Sequence, residues 1–190
     1  MTTPEAIAVV LVGLAAGILS GLFGVGGGIV MTPGLSAVGL APITAVATPL
    51  PVILPTASVG AYTYARAGQV DARAALWISL TGAVASAAGA ALTEAIDGRI
   101  LLLATAGLLV WQAVVILRGR GRPEGGAEVP APTRWALAAV GVVAGLLSGL
   151  LGIGGGIVIV PALAGMLGYP LKRALGTSLV CVVVLVIPGI

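Results

Sequence analysis

Eight glycines in two clusters are the residues whose type and spacing best suit chemistry: Gly24, Gly26, Gly27 and Gly28 in GVGGG, and Gly152, Gly154, Gly155 and Gly156 in GIGGG. Each cluster sits in a longer shared stretch, GILSGLFGVGGGIVMTP (Gly17 to Pro33) and GLLSGLLGIGGGIVIVP (Gly145 to Pro161). The two align without a gap at an offset of 128 residues. Most positions are identical, and the rest exchange one apolar residue for another, apart from Thr32 against Val160. Four glycines in five residues break a helix, because glycine loses more backbone freedom than any other residue on becoming helical. The first amides of the helix that restarts after the break lack an intrahelical acceptor, and the helix dipole adds roughly half a positive charge there. Two such ends meeting near a membrane midplane bind a small anion without a buried cation. Thr48, Thr177 and Ser178, on the segments that follow the two breaks, would add hydroxyls.

Other chemistries find little support. No Asp, Glu, Lys, Arg or His lies in the middle of an apolar run, and the chain has no histidine. Intramembrane ionisable side chains mark proton relays and ion paths, so their absence argues against a carboxylate-based pump. Ser20 and Ser148 have no base to activate them, and no acid/base pair is present, so the chain does not read as an enzyme. Cys181 stands alone inside an apolar run; it makes no intrachain disulfide, fits no Cys/His metal site and reads as packing. No cofactor is called for, since a GxGxxG fingerprint would need glycine where Ile29 stands and a strand before it. Two plainer readings compete with the anion site. Gly13, Gly17 and Gly21, like Gly141, Gly145 and Gly149, recur every four residues, the spacing of close helix contact. Thr and Ser in membrane helices also commonly bond their own backbone carbonyls.

The elements that must position these residues are membrane helices. The chain is 59% hydrophobic and 8% charged, with mean hydropathy +1.19, whereas a soluble domain carries about 25% charged residues. Fifteen charged side chains cannot cover a soluble fold of 190 residues, so lipid is the solvent. The basic excess, nine against six, sits in short loops and reports topology rather than nucleic acid. Trp77, Trp111 and Trp135 fall near span ends, where an interfacial belt puts them. The start, MTTPEA, carries no Lys or Arg, which argues against a cleaved signal peptide.

Along the chain, Ala6 to Leu40 is free of charge and too long for one span of about 20 residues. It predicts a helix to about Phe23, a glycine turn, and a shorter helix from about Ile29. Ile43 to Ala65 contains Pro49, Pro51 and Pro55, which predicts a kinked or unwound span. Ala74 to Thr93 follows, with Ser79, Ala83, Ala87 and Ala90 as a close-packing face, and then the lipid-like Ile100 to Leu117 at the periphery. Arg118 to Arg134 is a hydrophilic linker. Ala136 to Leu167, broken at Gly152–Gly156, and Leu171 to Pro188 repeat the first half. Residues 1–117 thus form one transmembrane repeat, 118–134 the linker, and 135–190 a second, partial repeat. The counterparts of the first half's last two spans are missing, as in a shortened version of a longer chain.

Two topologies compete. Bent single spans make the repeats parallel; hairpins that start and end on one side make them inverted. The positive-inside rule favours hairpins. They place Arg66, Arg73, Arg118, Arg120, Arg122, Arg134, Lys172 and Arg173 inside and only Arg99 outside. Bent spans move Lys172 and Arg173 outside.

The doubled G-x-G-G-G-x-[IV]-x-x-x-P motif, followed by Ala45-Val-Ala-Thr48-Pro-Leu50 and Ala174-Leu-Gly-Thr177-Ser-Leu179, resembles the sulfite exporter TauE/SafE family of membrane permeases over nearly the whole chain. The first half departs from the family's A-x-G-T-S-L at Ala47 and Pro49. The resemblance implies an all-α, multi-pass protein of the bacterial inner membrane with two related halves. It further implies a permease for a small sulfur-containing or organic anion such as sulfite or sulfoacetate, exporting by secondary transport. The partners expected are the lipid bilayer and the anion, not nucleic acid, with a homo-oligomer left open. A partial family member serving as a membrane scaffold or partner subunit, or an anion channel, are the alternatives.

Overall fold

The computed structural model describes residues 10–18, 31–32, 34–35, 39, 44, 48–93, 96–117 and 132–189. Among these there is no strand. Residues 10–18 are helical, followed in the second stretch of the chain by α1 (Pro49–Arg66), α2 (Ala72–Thr93) and α3 (Gly98–Leu117). After the linker come α4 (Arg134–Leu151), the short α5 (Gly156–Pro161) continuing as a π turn (Ala162–Met166), α6 (Leu171–Val186) and a closing 3-10 turn (Ile187–Gly189). Among the described residues, two helices, α2 and α4, are long and apolar enough to cross a membrane.

The proline run, expected to be kinked or unwound, does not unwind from Pro49 onward. Pro49 and Pro51 lie in the first turn of α1, where a missing N–H costs no intrahelical bond. Pro55 lies inside the helix, which continues through it to Arg66. Hydroxyls stitch the same stretch: Thr56 Oγ1 donates to the carbonyls of Val52 (3.0 Å) and Ile53 (2.9 Å), and Ser58 to Leu54 (2.7 Å).

The seam between α2 and α4 is a backbone contact. A Cβ added to Gly145 or Gly149 would collide with the backbone of Gly82 or Ser86, and one on Gly141 with the backbone of Ile78. Contacts at 78, 82 and 86 on α2 meet 141, 145 and 149 on α4, so the two helices run parallel. Thr81 Oγ1 donates across the seam to Ala138 O (3.2 Å), and Thr93 Oγ1 to Gly149 O (3.2 Å). The glycines spaced by four in the second copy are therefore packing residues, as the plainer reading had it. The face of α2 used is Ile78, Gly82, Ala85, Ser86 and Gly89, not the one expected through Ser79, Ala83, Ala87 and Ala90. Glycine wins because backbone–backbone approach leaves no room for a methyl group.

In contrast, α1 and α6 cross antiparallel. Tyr64 meets Gly176, Gly60 meets Leu179, and Ile53 lies with Val182 and Val186 in one buried cluster. Ser86 Oγ donates to Leu185 O (2.7 Å), fastening the end of α6 to α2. Leu101 on α3 packs on Leu151, Ile153 and Ile157, while Ile100, Leu103, Val110 and Trp111 are exposed, which suits the peripheral place expected for this segment.

Candidate functional site

The second glycine cluster forms a turn buried from Gly152 to Ile157. α4 ends at Gly152, whose backbone is left-handed (φ 65°) and whose amide donates to Ser148 O (3.0 Å). Gly154 (φ 79°) and Gly155 (φ 71°) are left-handed too, a conformation that costs L side chains about 1–2 kcal/mol each. α5 restarts at Gly156, and the amides of Val158 and Ile159 return to Gly155 O (3.0 and 3.2 Å). The amides of Gly156 and Ile157 are then the first of a helix, the positions that have no intrahelical acceptor. Buried donors of this kind require protein partners or a polar cavity around them.

Apolar side chains close on the turn. A Cβ on Gly154 would lie 3.2 Å from Val182 Cγ1, 3.3 Å from Ile53 Cγ2 and 3.5 Å from Val186 Cγ2. One on Gly155 would lie 2.9 Å from Ala144 O and 3.0 Å from Leu185 Cδ2. The turn is thus wedged where α1 and α6 cross, with α4 behind it. Ile53 and Val182 occupy matching places in the two copies, one residue beyond the 128-residue offset, as the Ala45–Leu50 and Ala174–Leu179 alignment requires.

The segment from Arg134 to Tyr169 begins and ends at one end of the molecule. Gly141 of α4 meets Ile78 of α2 and the two helices run parallel, so the start of α4 lies level with the start of α2. Tyr169, after the π turn, bonds Asp71, just before α2. Arg66, Arg73, Lys172 and Arg173 flank this same end.

The expected hydroxyls divide. Thr48 is exposed and donates to Thr44 O (2.7 Å), bonding its own backbone. Thr177 is buried, and its Oγ1 accepts the amide of Asp71 (3.0 Å); neither is brought to the glycine turn. Ser178 is fully buried with no partner for its hydroxyl among the described residues, one turn before Val182 on the same helix face. Gly24, Gly26, Gly27 and Gly28 lie outside the described residues. Ser148, just before the second turn, is likewise buried without a hydroxyl partner, although most helical hydroxyls here bond the carbonyl four residues back.

Sequence reading missed a polar cluster at the basic end. Asp71 Oδ1 accepts the amides of Arg73 and Ala74 (both 3.0 Å), capping α2. Its Oδ2 accepts the Tyr169 hydroxyl (3.1 Å) and faces Arg173 Nη2 at 3.7 Å. Burial, reinforced by the negative charge of Asp71, pushes the Tyr169 hydroxyl from 10 up to about 12. The signal in the sequence was an aspartate three residues before an apolar run, the usual start of a helix.

The described residues are all-helical, two of the helices are long and apolar enough to cross a membrane, and a glycine break is buried between crossing helices, which fits a membrane protein. Residues 9–190 match the sulfite exporter TauE/SafE family, and the chain belongs to it. It is 34% identical to a probable membrane transporter protein of Xylella fastidiosa (strain 9a5c), over 90% of this chain and 66% of that protein. A probable membrane transporter protein of Bacillus subtilis (strain 168) is 32% identical over 95% of this chain and 76% of its own length. One of Methanocaldococcus jannaschii is 32% identical over 89% and 65%. The chain therefore spans about two-thirds of the length of the Xylella and Methanocaldococcus relatives. No solved structure matches it.

Proposed function

We propose that the chain is a multi-pass permease of the bacterial inner membrane that exports a small anion, such as sulfite, sulfoacetate or a similar oxyanion, by secondary transport. Its two copies, 1–117 and 135–190, are inverted relative to each other. The anion is held by the glycine turns, Gly24, Gly26, Gly27 and Gly28 together with Gly152, Gly154, Gly155 and Gly156, and by the Ser178 hydroxyl. Thr48 and Thr177 drop out of the ligand set because their hydroxyls are engaged elsewhere.

The observation that carries the reading is the second turn itself: non-helical backbone, fully buried, between helices that cross. Membrane proteins keep such backbone only where protein or a water-filled path satisfies it, and carriers place their sites there. The antiparallel crossing of α1 and α6, corresponding segments of the two copies, supports the inversion. So does the return of residues 134–169 to the end where they began. Apolar side chains of α1 and α6 lie over Gly154 and Gly155 in this arrangement.

The test is uptake of radiolabelled sulfite, sulfate and sulfoacetate into proteoliposomes holding the protein. Saturable uptake of one of them, competed by the unlabelled anion, is expected. Linear, non-saturating flux would point to a channel, and no flux of any oxyanion would remove the proposal.

A further inference from the structure

The cluster around Asp71 joins the two halves of the chain, and it does so at one place. The loop between α1 and α2 lies across the first two turns of α6. The amide of Asp71 donates to Thr177 Oγ1 (3.0 Å), its carboxylate accepts the Tyr169 hydroxyl (3.1 Å), and Arg173 stands 3.7 Å away. Gly176 has no side chain because the carbonyl of Gln69 occupies that space. One turn beyond Thr177, on the same face of α6, Cys181 lies fully buried with its Sγ 3.8 Å from Ala75 O. The loop and the first turn of α2 together thus cover a strip of α6 running from Gly176 and Thr177 to Cys181.

We propose that Asp71, Tyr169, Arg173 and Thr177 form a latch that closes the basic end of the molecule, and that its release uncovers this strip of α6. The reasons are physical. The partners come from different halves, so they separate if the halves rock. The contacts are polar and sit at the helix ends, with the Asp71 side chain 22% exposed; water can replace them on opening. Asp71 serves as cap of α2 and as partner of Tyr169 at once, so the carboxylate keeps two amide donors when the latch opens and is never left bare. The gating role rests on the proposal of a two-half carrier; the latch itself does not depend on which anion is carried.

The chain's single cysteine supplies the reporter. In inside-out vesicles, the labelling rate of Cys181 by a small membrane-impermeant thiol reagent is measured for the unaltered protein, Asp71→Ala, Arg173→Gln and Tyr169→Phe. Asp71→Ala is expected to speed labelling at least tenfold. Tyr169→Phe and Arg173→Gln, which each remove one contact and leave the cap of α2 in place, are expected to speed it by smaller factors. A second cysteine, Ala85→Cys in a Cys181→Ala background, lies buried on α2 away from this end and should stay protected in all three. Labelling of Cys181 unchanged by all three substitutions would overturn the latch. So would equal labelling at position 85, since that reports general unfolding. Faster labelling of Cys181 in a protein that moves no oxyanion leaves the latch standing and removes the substrate reading instead.

Discussion

Replacing Gly155 with valine puts a branched side chain at the most constrained point of the buried turn. The backbone there has φ 71°, a region where a non-glycine residue costs about 1–2 kcal/mol. The new Cβ would stand 2.9 Å from Ala144 O and 3.0 Å from Leu185 Cδ2, and forcing extra methyl groups into a packed site costs about 1–3 kcal/mol. Together these oppose the observed turn by about 2–5 kcal/mol. At 1.4 kcal/mol per factor of ten, the geometry that aims the Gly156 and Ile157 amides becomes roughly 30-fold rarer or worse. Saturable anion uptake into proteoliposomes should fall by at least that factor. Gly155→Ala adds the strain with one methyl group and should fall by roughly tenfold. Size-exclusion chromatography and thermal melting in detergent identify folded protein; the alanine variant carries the test if the valine variant does not assemble. Folded Gly155→Val protein that transports within twofold of the unaltered chain would refute the reasoning that these amides hold the anion.

Three further outcomes are expected. Gly145→Ala places a methyl group on the carbonyl of Gly82, so α2 and α4 must separate; a loss of about 1–3 kcal/mol should appear as a lower melting temperature, and an unchanged one would remove the seam from the fold's supports. The Tyr169 hydroxyl is raised from 10 to about 12, so its protonated form is the one the fold favours. That contribution is complete below pH 10 and is lost as pH rises from 10 to about 12. Tyr169→Phe should therefore flatten the stability profile in that window, and an identical decline in both proteins would contradict the assignment. A cysteine introduced by Lys172→Cys, with Cys181 replaced by alanine, should be labelled only from the cytoplasmic face, and labelling from outside intact cells would undo the hairpin topology.

Much of this fold could be read from residue order, and the gaps have physical causes. The break at GIGGG was legible because four glycines in five residues leave a helix no alternative, and the φ values of Gly152, Gly154 and Gly155 show why glycine is needed. The bounds of α2, α3, α4 and α6 were legible to within a few residues, since charge marks many of the helix ends. The face of α2 was not: in a segment built almost wholly from small apolar residues, periodicity carries no contrast, and the choice of Gly82 over Ala83 is made by the partner helix. Pro49 and Pro51 misled because proline density says nothing about register; in a first turn they favour the helix they would break elsewhere. At the turn itself, glycine spacing suggested exposed donors but could not announce Ile53 and Val182, which arrive from distant segments. The Asp71 cluster escaped for the same reason, being assembled from positions 71, 169, 173 and 177.

Ile53 and Val182 hold matching places in the two copies and meet on opposite sides of one antiparallel crossing. In a pair of identical chains the corresponding residue would have touched its own twin, and bulk added to one would have been doubled. Joining the copies in a single chain lifts that constraint, letting isoleucine stand on one side and valine on the other. The lining over Gly154 can therefore be made lopsided one methyl group at a time while the frame around it stays the same.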